Sequence, residues 1–139
     1  LFRSRVFIDT NIILDVLLER PEFVQAAMDV LQMGIDKEIE LFATPLTLAT
    51  CHYLLRKEIG KKSAQKALQS IKSFIELTYM DDIQGTRALF SEMPDFEDML
   101  QYESALANKC GVIVTRNGKH FPQETIPILT PTQFLSQFA

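Results

Sequence analysis

The sequence predicts an α/β fold in which a mainly parallel sheet of four to five strands lies between two layers of helices. Two observations predict it. Short β-branched and aromatic runs alternate with amphipathic helical segments throughout the chain, which is the pattern of parallel strands joined by helices. No linker, repeat or low-complexity segment divides the 139 residues, of which 47% are apolar. We therefore expect residues 1–139 to form a single domain with a three-layer α/β/α sandwich.

The first half of the chain supplies two strands and four helices. In chain order these predicted elements are strand 5–8, helix 12–18, helix 22–37, strand 40–44, helix 45–56 and helix 62–74. Each boundary has a local signal: Asp9 is a favoured helix cap, Pro21 interrupts the first helical pattern, Pro45 suits a first helical turn, and Gly60 ends a helix.

The second half continues the alternation. Its predicted elements are strand 75–80, helix 86–90, helix 95–109, strand 112–114, strand 126–129 and a closing helix from residue 131. Asp95 starts the long helix, Gly111 stops it, and Asn117-Gly118 marks a turn after the buried strand.

Composition narrows the class of protein. The net charge of −4 argues against a protein that holds nucleic acid by a basic face alone. No apolar run approaches the roughly 20 residues of a membrane span, and no signal-peptide pattern is present. Cys51 and Cys110 occupy apolar helical positions, so we expect two buried thiols in a reducing, cytoplasmic compartment. Zinc at Cys51-His52 is disfavoured, because neighbouring helix residues point in different directions.

Polar residues follow two of the predicted strands, and acids open a later helix. Asp9 ends the first strand, Thr115-Arg116-Asn117 follow the fourth, and Asp98 lies in the first turn of the long helix. Ligands of parallel sheets bind beyond the carboxyl ends of the strands. Helix capping is the competing interpretation of both acids, since Asp is favoured at these positions.

Carboxylates that meet in one cleft repel each other unless a cation lies between them. A hard divalent ion held by one or two carboxylates would activate water and stabilise charge on a phosphate. His120 is the one histidine near the expected cleft, and Arg116 is the best single candidate to hold a phosphate. A basic group is either a solvated face or a phosphate-binding surface. It comprises Arg56, Lys57, Lys61, Lys62 and Lys66.

Four segments in order resemble the PIN domain family, the nuclease fold of many VapC-like toxins of bacterial toxin–antitoxin pairs. They are residues 8–15, residues 95–98 with the helix that follows, residues 114–121, and residues 129–135. The resemblance implies an endoribonuclease that depends on Mg²⁺ or Mn²⁺ and hydrolyses RNA phosphodiesters. By the same resemblance, Asp9 and Asp98 are catalytic metal ligands and Asn117 is a further ligand.

The resemblance also implies how the remaining polar residues act. Thr10 and Asn11 would orient the first loop and, with Thr115 and Arg116, face the substrate. If the chain is a toxin, an antitoxin protein would cover the cleft. A homodimer is also implied, to which the apolar side chains of Phe134 and Phe138 would contribute.

Two positions depart from the family pattern. Thr50 stands where many members have Glu, and His120 stands where an Asp commonly precedes Phe. Glu97 would compensate if it turned inward, whereas Asp95 is expected mainly as a cap. The alternative function is therefore a catalytically weak or inactive scaffold that binds RNA or a protein through the same cleft.

Overall fold

The computed structural model of the chain describes residues 3–123 and 125–138. Within these residues there are five strands: β1 (Arg5–Ile8), β2 (Glu40–Ala43), β3 (Ile75–Leu77), β4 (Val112–Val114) and β5 (Ile128–Leu129). The α-helices described are α1 (Thr10–Leu17), α2 (Val24–Ile35), α3 (Pro45–Ile59), α4 (Lys61–Lys72), α5 (Asp82–Leu89), α6 (Phe96–Ala107) and α7 (Pro131–Phe138). A 3₁₀-helix covers Gly118–His120. None of the described helices is both long and apolar enough to traverse a lipid bilayer.

The strands form one sheet in the order β3-β2-β1-β4-β5, and every neighbouring pair is parallel. The predicted α/β class is confirmed. Strand β1 lies at the centre, where Phe7 pairs with Phe42 of β2 on one side and with Ile113 of β4 on the other. The chain reverses its direction of travel across the sheet between β1 and β4, so their carboxyl ends form the crevice at which such sheets bind ligands.

Alternate side chains of the sheet enter two separate cores. Val6 and Ile8 belong to a core shared with α1, α2, α3, α4 and α7. Phe7 belongs to the opposite core, which contains buried residues of α5 and α6. Helices therefore cover both faces, as expected for an all-parallel sheet with continuous apolar strands.

Most element boundaries differ from the sequence prediction by one to four residues, and three of these differences have a local cause. Strand β3 ends at Leu77, because Thr44 already caps α3 and leaves no partner strand beyond Ala43. Strand β5 begins at Ile128, since the preceding proline has no N–H to donate to a ladder. Helix α5 is longer than predicted and begins behind a capping box formed by Asp81.

Helix α2 approaches the sheet closely at Gly34. A Cβ placed on this residue would overlap Cδ1 of Leu41 and lie 2.8 Å from its Cγ. Leu41 is 1% exposed, so its side chain has little space in which to move. Gly34 therefore sets the distance between α2 and β2.

The aromatic residues of α7 have unequal exposure. Phe134 is fully buried and stacks on Phe138, with 4.5 Å between the ring centroids. Phe138 is 43% exposed. Phe134 thus belongs to the core and is not available to a second copy of the chain, contrary to what its sequence position suggested.

Candidate metal centre

Asp9 connects the central strand to the first helix. Its backbone N–H donates to the carbonyl of Val114, 3.0 Å away, and its side chain caps α1 by accepting the N–H of Thr10 at 2.7 Å. Only 4% of the residue is exposed. The carboxylate is therefore held at the carboxyl end of β1, at the crevice between β1 and β4.

Residues after β4 hold the second carboxylate oxygen of Asp9. The hydroxyl of Thr115 donates to Oδ2 of Asp9 at 2.7 Å, and the same hydroxyl accepts the backbone N–H of Asn117 at 3.0 Å. A longer contact of 3.4 Å joins the side-chain amide nitrogen of Asn11 to Oδ2. The side chains of Thr115 and Asn11 and the backbone N–H of Thr10 thus contact Asp9, whereas the side chain of Asn117 is exposed.

Asp98 lies in the first turn of α6, behind the cap that Asp95 provides. Asp95 accepts the N–H of Asp98 at 2.8 Å, and the carboxylate of Asp98 instead contacts Nδ1 of His120 at 3.3 Å. Burial raises the pKa of Asp98 to about 6, and the negative charge of Asp9 is the next largest cause. Asp98 therefore lies close enough to Asp9 for the negative charge of Asp9 to oppose its ionisation.

Glu97 also lies within the influence of the charge on Asp9. Burial raises the pKa of Glu97, and the charges of Asp95 and Asp9 add to this effect, although the residue is largely exposed. Thr50 is half-buried on α3. Burial followed by the charge of Asp9 raises the pKa of the adjacent thiol, Cys51, to about 12, so this buried thiol is neutral.

Hydroxyl groups line the neighbouring helix ends. Thr10 donates to the hydroxyl of Thr47 at 3.3 Å, and the hydroxyls of Thr44 and Thr47 are 3.1 Å apart. All three residues are buried. This network joins the beginning of α1 to the beginning of α3 beside Asp9.

Arg116 is engaged inside the protein. Its guanidinium donates to both carboxylate oxygens of Asp15, at 2.7 and 3.1 Å, and lies 3.9 Å from the ring centroid of Phe23. Arg20 also donates to Asp15 at 3.1 Å. The sequence suggested Arg116 as a phosphate ligand, but in the structure Asp15 takes the place of such an anion.

Buried polar atoms without partners mark the crevice and the helix beneath it. Among the described residues these are Oδ1 of Asn11 and both amide atoms of Gln101. Interior polar groups are nearly always paired with protein, water or a ligand. Gln101, which is 1% exposed, was missed in the sequence analysis. Its position one turn after Asp98 on the buried side of α6 was the available signal.

The donor atoms suit a hard divalent cation. Asp9, Asp98 and the unpaired Oδ1 of Asn11 offer oxygen ligands, which Mg²⁺ and Mn²⁺ prefer, and Mg²⁺ usually keeps several waters besides one or two carboxylates. In the part of the chain that the structure describes, no group of three or more His, Cys, Asp or Glu side chains is arranged to hold a metal ion. The residues therefore fit one hydrated ion better than a pair of ions.

A parallel sheet between two layers of helices, with Asp9 at its central crevice, agrees with the architecture that the sequence segments suggested. The family profile described as PIN domain matches residues 5–119. The chain belongs to the PIN domain family. Ribonuclease VapC1 of Aquifex aeolicus (strain VF5) is 25% identical in an alignment 140 residues long, and the alignment covers 97% of this chain and 96% of that protein.

Solved structures share the fold. A DNA-bound VapBC from Salmonella typhimurium aligns with a TM-score of 0.68 at 15% identity and covers 92% of this chain and 98% of that chain. VapBC2 from Rickettsia felis, bound to a DNA fragment from its promoter, aligns with a TM-score of 0.67 at 18% identity. That alignment covers 90% of this chain and 97% of the other. At these identities the similarity concerns the fold alone.

Proposed function

We propose that this chain is an endoribonuclease that uses Mg²⁺ or Mn²⁺ to hydrolyse RNA phosphodiesters. The single observation that carries the proposal is that Asp9, held at the sheet crevice by Thr115, lies close enough to Asp98 for its charge to raise the pKa of that carboxyl. Two carboxylates at a site of this kind are stabilised by a divalent cation. The relative from Aquifex aeolicus, named as a ribonuclease, supports RNA as the substrate.

Each side chain has a defined role in this proposal. Asp9 and Asp98 bind the cation, and Oδ1 of Asn11 completes its protein ligands or binds the hydrated substrate. Thr10 and Thr115 position Asp9 through its two carboxylate oxygens, at 2.7 Å in each case. When bound, the cation supplies an activated water and stabilises charge that develops on the phosphate.

Other residues of the sequence prediction have secondary roles. Asn117 is exposed and would act through water. Glu97 is too exposed to replace the missing family Glu at Thr50 without a change of conformation. His120 orients Asp98 through the contact of 3.3 Å, and Arg116 positions the loop after β4 by its bonds to Asp15.

A toxin role extends the proposal to a partner. The solved structures with this fold include VapBC complexes bound to DNA, and the PIN domain family profile matches most of the chain. We propose that an antitoxin protein covers the crevice and blocks access of RNA to Asp9 and Asp98. A homodimer remains part of the proposal, with Phe138 as an exposed apolar contact.

Substitution of the paired acids tests the catalytic proposal. Asp9→Asn and Asp98→Asn should each reduce Mn²⁺-dependent cleavage of RNA by more than about 100-fold, since loss of an outer partner of a metal ligand already costs about 10- to 100-fold. Both variants should remain folded, because Asn at position 9 still caps α1 and Asp98 is not the cap of α6, which is Asp95. Cleavage and thermal unfolding are measured in parallel.

Asp81→Asn is the matched control for these variants. Asp81 caps α5 through its carboxylate, as Asp9 caps α1, but it is exposed. Its activity should equal that of the original chain. Unchanged cleavage in both Asp9→Asn and Asp98→Asn would refute the assignment.

A scaffold without catalysis is the second candidate, and two neutral groups of α3 favour it. Thr50 stands where many family members have Glu, and the neighbouring thiol of Cys51 is protonated because burial and the charge of Asp9 raise its pKa. Calorimetric titration with Mn²⁺ separates the two functions. No binding at about millimolar ion, a concentration typical of the weakest calcium-type sites, would favour the scaffold.

A further inference from the structure

The hairpin of α3 and α4 concentrates the positive charge of the chain. Residues 53–72 contain six Lys or Arg and one Glu, which gives a net charge of +5. The other 119 residues contain eight basic and 17 acidic residues and carry −9. A polyanion is therefore attracted to this hairpin and repelled by much of the remaining surface.

The basic side chains of the hairpin are free to meet such a polyanion. They are all exposed: Arg56, Lys57, Lys61, Lys62, Lys66 and Lys72. Every ion pair formed within the described residues (3–123 and 125–138 together) lies outside the hairpin. Their charges are not neutralised by carboxylates of the described chain.

An exposed aromatic ring lies among these cations. Tyr53 is 51% exposed, with Nζ of Lys57 4.1 Å and Cζ of Arg56 5.6 Å from its ring centroid. Cation–π contacts hold both basic groups near the end of α3. Surfaces that bind single-stranded nucleic acid combine cations that follow the backbone with aromatic rings for bases.

The hairpin is continuous with the crevice. Helix α3 begins beside the acids, where Thr47 accepts a hydrogen bond from Thr10 at 3.3 Å. Lys57 follows Thr50 by seven residues on the same helix, which is about 10 Å along the axis. A stacked strand rises about 3.4 Å per nucleotide, so about three nucleotides cover this distance.

We infer that the α3–α4 hairpin binds the phosphate backbone of single-stranded RNA, and so positions a strand whose scissile phosphate lies at Asp9 and Asp98. The inference rests on the proposed function for its substrate class. Because the acids of the crevice repel RNA before a cation binds, most of the attraction comes from the hairpin. An acidic protein segment is the competing occupant, but it would not require an aromatic ring within the basic surface.

The triple variant Lys57→Gln, Lys61→Gln and Lys62→Gln tests the inference. Binding of a fluorescein-labelled, mixed-sequence RNA of about 20 nucleotides, longer than a typical single-strand site, is measured by anisotropy on the full chain with EDTA present. At about 50 mM KCl the variant should bind at least about tenfold more weakly. Each lost phosphate contact reduces the slope of log K against log salt by about 0.7. Loss of three contacts should therefore make the slope shallower by about 2.

The matched control removes the same charge elsewhere. Lys37→Gln, Arg87→Gln and Lys109→Gln are exposed positions outside the hairpin, and this triple variant should keep its affinity within about threefold and its salt slope within about 0.5. Thermal unfolding should be equal in both variants, since the substituted side chains lie in solvent.

Equal losses of affinity and slope in the two triple variants would overturn the inference. Binding to polyglutamate, a model of an acidic protein segment, is measured in the same way. If the hairpin variant loses binding to polyglutamate but binds RNA unchanged, the inference is overturned and the hairpin is assigned to an acidic protein. Because EDTA prevents metal-dependent cleavage, the binding result does not depend on activity. A chain that binds RNA through the hairpin but never cleaves it would refute the proposed catalysis and leave the hairpin assignment in place.

Discussion

Asp98 is a carboxylate whose ionisation is opposed by its surroundings. Burial raises its pKa to about 6, and the charges of Asp9 and Asp95 act in the same direction. His120, 3.3 Å away, lowers the pKa. Burial and the same two aspartates also raise the pKa of Glu97. A divalent cation would reverse the effect, because it stabilises the charged forms that the apo-protein disfavours.

The stability of the cation-free protein should therefore fall as Asp98 ionises. The folded-state pKa of about 6 exceeds the ordinary value of 3.8, so the favourable contribution is complete at low pH and is lost as pH rises through 6. After allowance for solvent screening we expect a loss of roughly 1 kcal/mol. Thermal unfolding with EDTA at about pH 4.5 and 7.5 brackets this transition.

Asp98→Asn supplies the comparison for this pH dependence. The variant should lose less stability than the original chain over the same interval, since it has no carboxyl to ionise. Mn²⁺ should stabilise the original chain at the higher pH and have little effect on the variant. An identical pH dependence in both proteins would contradict the raised pKa as its source.

The sequence alone allowed some residues of the candidate metal centre to be predicted, but not others. Asp9 and Asp98 were accessible to prediction, because one follows an apolar strand and the other lies in the first turn of a helix. The pairing of Asp15 with Arg116 was not, since it joins residues 101 positions apart and depends on how β4 lies against β1. Gln101 was missed because a buried glutamine has no periodic pattern of its own.

Between elements, Asp15 connects the first helix to the loop after β4. The residue is fully buried, and Arg116 neutralises it with two hydrogen bonds while stacking on Phe23. The adjacent Thr115 is the hydrogen-bond donor to Asp9. The ion pair thus stabilises the loop on which the orientation of the first acid depends.

Arg116→Met should destabilise the protein by about 2–3 kcal/mol, because it keeps the apolar stem but leaves Asp15 buried with one remaining partner. Arg20→Met is the control. Arg20 is 37% exposed in its side chain, so its loss should cost less than about 1 kcal/mol. Urea unfolding measures both, and equal costs would show that the two arginines share Asp15 equally.

The contact between α2 and β2 gives a second test at this scale. Gly34→Ala should cost about 1–3 kcal/mol, because its Cβ would overlap the buried side chain of Leu41. Gly85→Ala in α5 is the matched control, since nothing lies within 4 Å of a Cβ there. That change should be neutral or stabilise the helix by up to about 1 kcal/mol. A neutral Gly34→Ala would mean that the layers separate easily.

A proline marked the start of α3 correctly, whereas the end of that helix was predicted too early. The helix runs from Pro45 to Ile59, three residues beyond the predicted end at Arg56, and Gly60 is its C-cap. Strand β3 was predicted too long, because the residues after Leu77 keep an alternating pattern although their neighbour β2 has ended. Alternation reports which side chains could be buried, whereas a strand also requires a partner backbone.

For the whole molecule, the class of fold followed from the alternation of strands and helices, and the parallel sheet confirmed it. Strand order did not follow, because apolar strands such as β1 and β4 carry no mark of their neighbours. The sequence showed the basic residues of the hairpin only as a local group. It did not show that positive charge is concentrated on one pair of helices while acids cover much of the remaining surface. The relation of the hairpin to the crevice required the position of α3.

The hydrogen bond between Thr115 and Asp9 spans 106 residues of chain, and this has a consequence during translation. At about 5–20 residues per second, roughly 5–20 seconds separate the synthesis of the two partners on a ribosome. In that interval β1 has no β4 beside it, and the carboxylate of Asp9 lacks the hydroxyl that orients it. A nascent polypeptide therefore acquires the assembled crevice only late, after the non-local strand pairing that also slows folding of such topologies.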